Sequence, residues 1–252
     1  MGHHLQRHQS ARAYLVDLDG TLIRGCAALP FAASLLGSLK GRFVLLSNDA
    51  EHMPEQLSRS LRAMNLHVAP ERIVLAGATA VDLVAREMPG ARVMLLASTV
   101  LRTYARRLGV ELVESGGDVV LLGRDRQFNF TRIAAAANAV RDGAELIVAN
   151  PDRTHPGKDG TVVPETGALL ASILACTGDI PYRVIGKPEP PMFWKALSLL
   201  GAEATNTVMI GDNVETDGRG ALRTGMSFVH VDDWVARQHS SAQLADGALA
   251  EG

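Results

Sequence analysis

The fold is decided by the segment VDLDGTL (residues 16–22), which directly follows the apolar run AYL (residues 13–15). We interpret the segment as the end of a buried strand, and Gly20 allows the chain to turn sharply there. Because side chains alternate along an extended chain, the carboxylates of Asp17 and Asp19 can point to one side of the backbone. They repel each other, so the pair predicts either a hard dication between them or one retained proton. Taken alone, the segment also fits an ordinary polar turn, since Asp and Gly are common turn residues.

Three more apolar segments end in polar side chains. RFVLLS (residues 42–47), YRVI (182–185) and TVMI (207–210) lead, in chain order, to Ser47 and Asn48, to Lys187, and to Asp212 and Asp217. These strands alternate with segments of helical periodicity, a pattern typical of a doubly wound parallel α/β sheet. Ligands bind such sheets outside the carboxyl ends of the strands, so a single site is predicted there.

The strand and helix pattern restarts between residues 75 and 181. The predicted strands of this part are 92–97, 110–113, 118–122 and 145–149, and the predicted helices are 78–87, 100–108, 130–141 and 166–176. We therefore expect a smaller α/β domain, residues 76–181, inserted into a core domain of residues 11–75 and 182–236. Residues 1–10 and 237–252 are expected to be flexible termini.

The composition excludes several classes of function. A net charge of −2 and a pI near 6.4 provide no basic surface, so neither nucleic acid nor an anionic membrane is expected as a partner. The longest uncharged stretch, residues 166–178, is shorter than the roughly 18 apolar residues that suggest a membrane span. With only two cysteines and no recognisable signal peptide, the chain is expected to be cytoplasmic.

The predicted cluster contains the groups that hydrolysis of a phosphate monoester requires. A carboxylate can attack phosphorus to give an acyl phosphate, which divides one difficult displacement into two easier steps. Mg²⁺ on oxygen ligands and the Lys187 ammonium would share the phosphoryl charge, while a hydroxyl and an amide would donate hydrogen bonds. If Asp19 is protonated when substrate binds, it can protonate the leaving alkoxide and later deprotonate the attacking water. Asp17 would then be the nucleophile.

Four ordered motifs carry a family resemblance: DLDGT (17–21), LLSN (45–48), VIGKP (184–188) and MIGDNVETD (209–217). Together they resemble the motifs of the haloacid dehalogenase superfamily. More narrowly, they resemble its phosphatases with a C2-type cap, the group of NagD, p-nitrophenyl phosphatase and pyridoxal phosphate phosphatase. The resemblance covers nearly all of residues 12–230, including the insertion segments GRDRQFNF (123–130), ANPDRTHP (149–156) and 164–170.

The resemblance implies a role for most residues of the predicted site. Asp17 is expected as the nucleophile and Asp19 as the general acid and base. Mg²⁺ is expected on Asp17, the backbone carbonyl of Asp19 and Asp212. The phosphoryl group is expected on Ser47, Asn48 and Lys187. Asp217 is expected to support either the metal shell or Lys187, and Thr21 and Asn213 are expected as further supporting residues.

Two further residues are expected near the substrate. His155 lies in the segment that resembles the family's substrate-specificity loop, although a solvated loop histidine explains it nearly as well. Asp49 stands where the family usually has a second Asn. It adds negative charge beside a phosphate site, which would either weaken substrate binding or select a substrate that carries a cation.

From these observations we predict a Mg²⁺-dependent phosphatase that acts on a small phosphorylated metabolite through an aspartyl-phosphate. Sugar phosphates, glycerol phosphate, nucleotides and pyridoxal phosphate all remain open as substrates. The resemblance also allows a homodimer formed through the cap. The alternative is a catalytically weak homologue that binds phosphate ligands or has a regulatory role, and Asp49 is the feature that favours it.

Overall fold

The computed structural model describes residues 13–157 and 160–238. The predicted flexible termini therefore lie outside the described residues, apart from positions 237 and 238. In chain order the strands are β1 (Ala13–Asp17), β2 (Ile23–Arg24), β3 (Ala27–Ala28), β4 (Phe43–Ser47), β5 (Ile73–Leu75), β6 (Arg92–Leu96), β7 (Glu111–Leu112), β8 (Val119–Leu122), β9 (Glu145–Val148), β10 (Thr154–Pro156), β11 (Val162–Pro164), β12 (Arg183–Val184), β13 (Thr207–Gly211) and β14 (Ser227–His230).

The helices are α1 (Ala32–Ser38), α2 (Pro54–Ala63), α3 (Ala76–Glu87), α4 (Thr99–Arg107), α5 (Phe130–Arg141), α6 (Thr166–Thr177), α7 (Pro190–Leu200) and α8 (Arg219–Arg223), and residues 231–238 are also helical. Single 3₁₀ turns span Pro70–Arg72 and Ala204–Asn206, and a π-helical turn spans Val214–Gly218. Among the residues described, no helix is both long and apolar enough to cross a lipid bilayer.

The first sheet has the strand order β14-β13-β1-β4-β5, and all neighbouring strands are parallel. Every residue of β1, β4 and β13 is buried. Continuous burial explains why these segments are apolar without a period of two, since helices cover both faces of a parallel sheet. The predicted doubly wound parallel α/β fold is confirmed.

Successive residues of β1 enter two different hydrophobic cores. Val16 packs in a core that includes Leu61 of α2, whereas Leu15 packs in a core that includes Phe193 of α7. Burial of one such side chain contributes roughly 1.5–3 kcal/mol. Packing on both faces therefore fixes β1 at the centre of the sheet, and with it the position of Asp17 at the end of the strand.

The second sheet has the order β12-β9-β8-β6-β7, again with parallel neighbours, and α5 and α6 cover one of its faces. The sequence analysis assigned the strand near Tyr182 to the core domain. In the structure Arg183–Val184 pairs instead with β9 of the second sheet. A two-residue strand carries no pattern that identifies its partner, so the sequence could not decide this pairing. The domain boundaries themselves stay a prediction.

The central strands of the first sheet end at the same level. Asp17 pairs with Leu46 of β4, and Val16 pairs with Ile210 of β13. The loops that follow these three strands therefore meet at one edge of the sheet, which is the edge that binds ligands in folds of this class.

Candidate active site

Asp17, the last residue of β1, contacts a lysine from a distant part of the chain. The ammonium Nζ of Lys187 lies 2.5 Å from Asp17 Oδ1 and 2.7 Å from Asp217 Oδ1, and Lys187 and Asp17 are 170 positions apart. All three side chains are buried, and Lys187 is only 3% exposed. The structure thus brings together three charged residues that the sequence placed after three separate strands.

The charged groups of this cluster shift the pKa values of their neighbours. Burial alone would lower the pKa of Lys187, but the Asp17 and Asp217 carboxylates outweigh it and hold that pKa above its ordinary value. Burial raises the pKa of Asp217, as does the Asp17 carboxylate, while Lys187 opposes both. Lys187 therefore stays charged, and it can stabilise negative charge that develops on an anion beside Asp17.

The second oxygen of Asp17 is also held. Thr21 is fully buried, and its hydroxyl donates to Asp17 Oδ2 at 2.9 Å. Because Lys187 holds Oδ1 and Thr21 holds Oδ2, the orientation of the carboxylate is fixed on both sides. Asn213 in turn supports Asp217: its backbone N–H donates to Asp217 Oδ2 at 3.3 Å. The Asn213 side chain also caps the π-helical turn that contains Asp217.

Asp19 lies two residues beyond the end of the strand. Its side chain reaches solvent, yet surrounding protein restricts its hydration. This loss of hydration, together with the charges of Asp17 and Asp49, raises the pKa of Asp19 to about 6. A carboxyl group of this pKa can carry a proton at mildly acidic to neutral pH and can donate or accept it.

Asp17, Asp212 and Asp217 form a cluster in which one carboxylate oxygen of each lies within 4.8 Å of the others. Gly20 makes room for Asp212: a β-carbon on Gly20 would lie 2.0 Å from Asp212 Oδ2, and its φ of +84° is one that other residues rarely adopt. Burial, together with the Asp17 carboxylate, raises the pKa of Asp212. Oxygen donors in such a cluster suit a hard divalent cation. Asp217 is fully buried and Asp17 is 5% exposed, whereas Asp212 is exposed, so Asp212 is the carboxylate of the three that faces solvent.

Asn48, which directly follows β4, uses its whole side-chain amide in contacts with the protein. Nδ2 donates to Asp152 Oδ2 at 3.0 Å and to the backbone carbonyl of Lys187 at 3.1 Å. Oδ1 accepts a hydrogen bond of 2.7 Å from the backbone N–H of Lys187. Both amide hydrogens predicted for the phosphoryl group are therefore already donated within the protein.

Ser47 and Asp49 flank Asn48. Ser47 is buried, and its Oγ accepts from the backbone N–H of Asp49 at 3.2 Å, so its own hydroxyl hydrogen can donate elsewhere. The Asp49 carboxylate accepts from the backbone N–H groups of Glu51 and His52, both at 2.8 Å, and contacts His52 Nδ1 at 2.7 Å. Burial would raise the pKa of Asp49, but the bonds from His52 outweigh it and lower that pKa. The carboxylate that the sequence placed beside the phosphate site is thus stabilised by hydrogen bonds within its own loop.

His155 belongs to a chain of charged side chains. His155 Nδ1 lies 2.6 Å from Glu165 Oε1, and Arg124 Nη1 lies 3.2 Å from the same oxygen and 3.1 Å from Glu51 Oε2. The charge of His155 lowers the pKa of Asp19, and so opposes burial and the charges of Asp17 and Asp49, which raise it. This chain therefore connects the loop after β4 with segments of the insertion, close to Asp19.

The sequence analysis did not single out four residues of this region: Arg124, Asn150, Asp152 and Glu165. Burial raises the pKa of Asp152, against the hydrogen bond from Asn48 and the charge of Lys187. All four lie within the insertion segments that carry the family resemblance. Those segments were the available signal, but a resemblance alone does not say which side chains reach the core.

Two protein-family models match the chain. The model described as haloacid dehalogenase-like hydrolase matches residues 14–111, and a second, described as HAD-hydrolase-like, matches residues 184–247. The first match contains Asp17 and Ser47, and the second contains Lys187 and Asp212.

Known phosphatases are similar over most of the chain. Dihydroxyacetone phosphatase from Corynebacterium glutamicum is 35% identical over 227 residues, which cover 89% of this chain and 82% of that protein. The structure of p-nitrophenyl phosphatase from Archaeoglobus fulgidus matches with a TM-score of 0.80 and 28% identity, over 88% of this chain and 86% of that chain. The glycerol phosphate phosphatase of Mycobacterium tuberculosis, in complex with calcium, matches with a TM-score of 0.80 and 28% identity, over 88% of this chain and 66% of that chain.

Proposed function

Because the chain is a phosphatase of the haloacid dehalogenase-like hydrolases, we propose that it hydrolyses small phosphomonoesters through an aspartyl-phosphate on Asp17. The observation that carries this proposal is the contact between the oriented Asp17 carboxylate and the buried ammonium of Lys187 at the carboxyl edge of β1. A nucleophile beside a fixed cation is what attack on an anionic phosphoryl group requires.

In the proposed mechanism, an oxygen of Asp17 attacks phosphorus and the bond from phosphorus to the ester oxygen breaks. Asp19 gives its proton to the departing alkoxide, which leaves as an alcohol. Water then attacks the phosphorus of the acyl phosphate and transfers a proton to Asp19. Inorganic phosphate leaves, and both carboxyl groups return to their starting states. The pKa of Asp19, about 6, supports both proton transfers.

Asp17, Asp212 and the backbone carbonyl of Asp19 are the proposed ligands of Mg²⁺. When bound, this ion would shield the carboxylates from the anionic substrate and share the charge of the phosphoryl oxygens. The oxygen-only donor set supports this proposal, as does the calcium complex of the glycerol phosphate phosphatase. Lys187 and the Ser47 hydroxyl are the proposed donors to the phosphoryl group.

The names of the similar phosphatases point to short substrates with an uncharged leaving group. We propose the same class for this chain, with His155 near the leaving group, because its charge acts on Asp19. The cap-mediated homodimer and the cytoplasmic location stay predictions. The alternative of a catalytically weak homologue that binds phosphate ligands or has a regulatory role rested on Asp49, whose carboxylate accepts hydrogen bonds from its own loop and contacts His52.

The test is phosphate release from p-nitrophenyl phosphate, glycerol phosphate and dihydroxyacetone phosphate, with Mg²⁺ and with a chelator. We expect turnover that requires the metal and is abolished by Asp17→Asn. Asp142→Asn changes an exposed aspartate after α5 and should leave turnover intact. The absence of turnover in the native protein, or its survival in Asp17→Asn, would refute the proposal.

A further inference from the structure

The backbone that carries Lys187 is a continuation of the second sheet. The N–H of Ile185 donates to the carbonyl of Val148 at 3.0 Å, and the N–H of Gly186 donates to the carbonyl of Ala149 at 2.7 Å. Lys187 is the next residue, and its side chain enters the first sheet's site. Hydrogen bonds to the inserted part of the chain therefore position the backbone that carries Lys187.

The approach at Gly186 is close. A β-carbon on Gly186 would lie 2.7 Å from the Ala149 carbonyl oxygen, 2.7 Å from Asn48 Oδ1 and 3.1 Å from the β-carbon of Asn150. The two contacts of 2.7 Å are shorter than real β-carbons make, so a side chain at position 186 would force the Lys187 loop or its neighbours to shift.

Asn48 holds both polar groups of the Lys187 backbone. Its Oδ1 accepts from the N–H at 2.7 Å and its Nδ2 donates to the carbonyl at 3.1 Å, as a neighbouring β-strand would. A side chain that holds both groups fixes the position and the rotation of the peptide. From this fixed point, the Lys187 side chain reaches Asp17 and Asp217.

Asn48 is itself held by two residues of the insertion. Asp152 Oδ2 accepts the second hydrogen of Asn48 Nδ2 at 3.0 Å, and Asn150 Nδ2 donates to the backbone carbonyl of Asn48 at 2.6 Å. The backbone N–H of Asp152 donates to Asn150 Oδ1 at 3.0 Å, which joins the two supports. Asn150 is 1% exposed, so water does not replace these bonds readily.

We propose that Asn48, Asn150 and Asp152 are positioning residues that place Lys187 for phosphoryl transfer, and that Asn48 acts through Lys187 rather than on the phosphoryl group. The proposal rests on the proposed phosphatase function for its kinetic readout. It changes the role expected for Asn48, since the amide that would bind phosphate is committed to the Lys187 peptide. It also makes correct placement of the lysine dependent on docking of residues 150–152.

Reversal of the Asn48–Asp152 hydrogen bond tests this role. Asn48→Asp keeps the oxygen that accepts from the Lys187 N–H, but it places a second oxygen against both the Asp152 carboxylate and the Lys187 backbone carbonyl. We expect kcat to fall by about 10²-fold with little change in KM, because small displacements of a catalytic group can cost that much. In the double variant Asn48→Asp with Asp152→Asn, the new amide can donate to the new carboxylate, and kcat should recover about tenfold.

A direct role in phosphate binding predicts the opposite result. The Asn48→Asp carboxylate would then repel the substrate, KM would rise, and Asp152→Asn would restore nothing; that result would overturn the proposal. Asp179→Ala, at an exposed position of the insertion, is the matched control and should keep native values of kcat and KM.

A second measurement does not depend on turnover. Hydrogen exchange of the peptide that contains the Lys187 amide should be at least about tenfold faster in Asp152→Ala than in the native protein, while Asp152→Asn should stay close to native because it keeps an acceptor oxygen. Unchanged exchange in Asp152→Ala would refute the positioning role even if the protein hydrolyses no phosphomonoester. If exchange is faster in Asp152→Ala as expected but the native protein shows no turnover, only the proposed phosphatase function would be refuted.

Discussion

Replacement of Lys187 by Met removes the ammonium between Asp17 and Asp217 and keeps a long side chain. In the native protein the ammonium nitrogen is 2.5 Å from one carboxylate and 2.7 Å from the other, and the lysine is 3% exposed. The variant would leave two buried carboxylates without their cation. Removal of one partner from a buried ion pair typically costs about 3–5 kcal/mol, and we expect a loss of that size in the free energy of unfolding at about pH 8.

The loss should depend on pH. Burial raises the pKa of Asp217, and Lys187 is the group that opposes this rise. Without Lys187, the folded-state pKa of Asp217 moves further above the unfolded value of about 3.9. A group with a raised pKa stabilises the folded state below its unfolded pKa, and this stability is lost as pH rises through the folded-state pKa. Lys187→Met should therefore differ least from the native protein at about pH 4 and most at about pH 8.

Urea unfolding followed by circular dichroism, with a chelator present at both pH values, measures this loss. Lys195→Met is the matched control: Lys195 Nζ lies 2.5 Å from Asp82 Oδ2, but these side chains are 34% and 31% exposed. A pair this exposed contributes at most about 1 kcal/mol. The kcat/KM for p-nitrophenyl phosphate should fall by at least about 10²-fold in Lys187→Met only. Equal losses of stability in the two variants, or a loss independent of pH, would contradict the reasoning.

Three smaller changes test other parts of the site. Thr21→Val removes the hydroxyl that orients the candidate nucleophile, so unfolding experiments should show a loss of about 1–3 kcal/mol and assays a lower kcat; native values for both would contradict this role. Gly20→Ala would place a β-carbon 2.0 Å from Asp212 Oδ2, so half-maximal activation should require more Mg²⁺, and an unchanged Mg²⁺ titration would contradict the ligand assignment. The hydrogen bond that the His52 ring donates to the Asp49 carboxylate raises the pKa of His52, so Asp49→Asn should lower that pKa in an NMR titration. The stability from this pair, below about 1 kcal/mol, should be present below about pH 6.5 and lost as pH rises through the folded-state pKa of His52.

The sequence predicted the elements whose apolar pattern is long or continuous. The predicted bounds of α5, Phe130–Arg141, agree with the structure, where the Asn129 side chain accepts from the backbone of Arg132 and caps the helix. The sequence analysis did not identify the three-residue strand β5 or assign β12 to its sheet, because strands of two or three residues carry no periodicity.

The same distinction applies to the site. Asp17 and Asp212 could be predicted because each lies at the end of a buried strand of the first sheet. Lys187 was predicted by the same argument, although the strand before it belongs to the second sheet. The contacts of Asn48 with Asp152 could not, since they depend on how the insertion docks against the core. The contact of Asp49 with His52 was accessible in principle, because the two residues are only three positions apart.

The central claim is that Asp17 becomes phosphorylated during turnover. Acid quench of the enzyme during hydrolysis of p-nitrophenyl phosphate, followed by mass spectrometry of its peptides, tests this directly. We predict one added phosphoryl group on Asp17, absent from Asp17→Asn and more abundant in Asp19→Asn, where hydrolysis of the acyl phosphate loses its general base. Phosphorylation of a different residue, or full turnover in Asp17→Asn, would contradict the account.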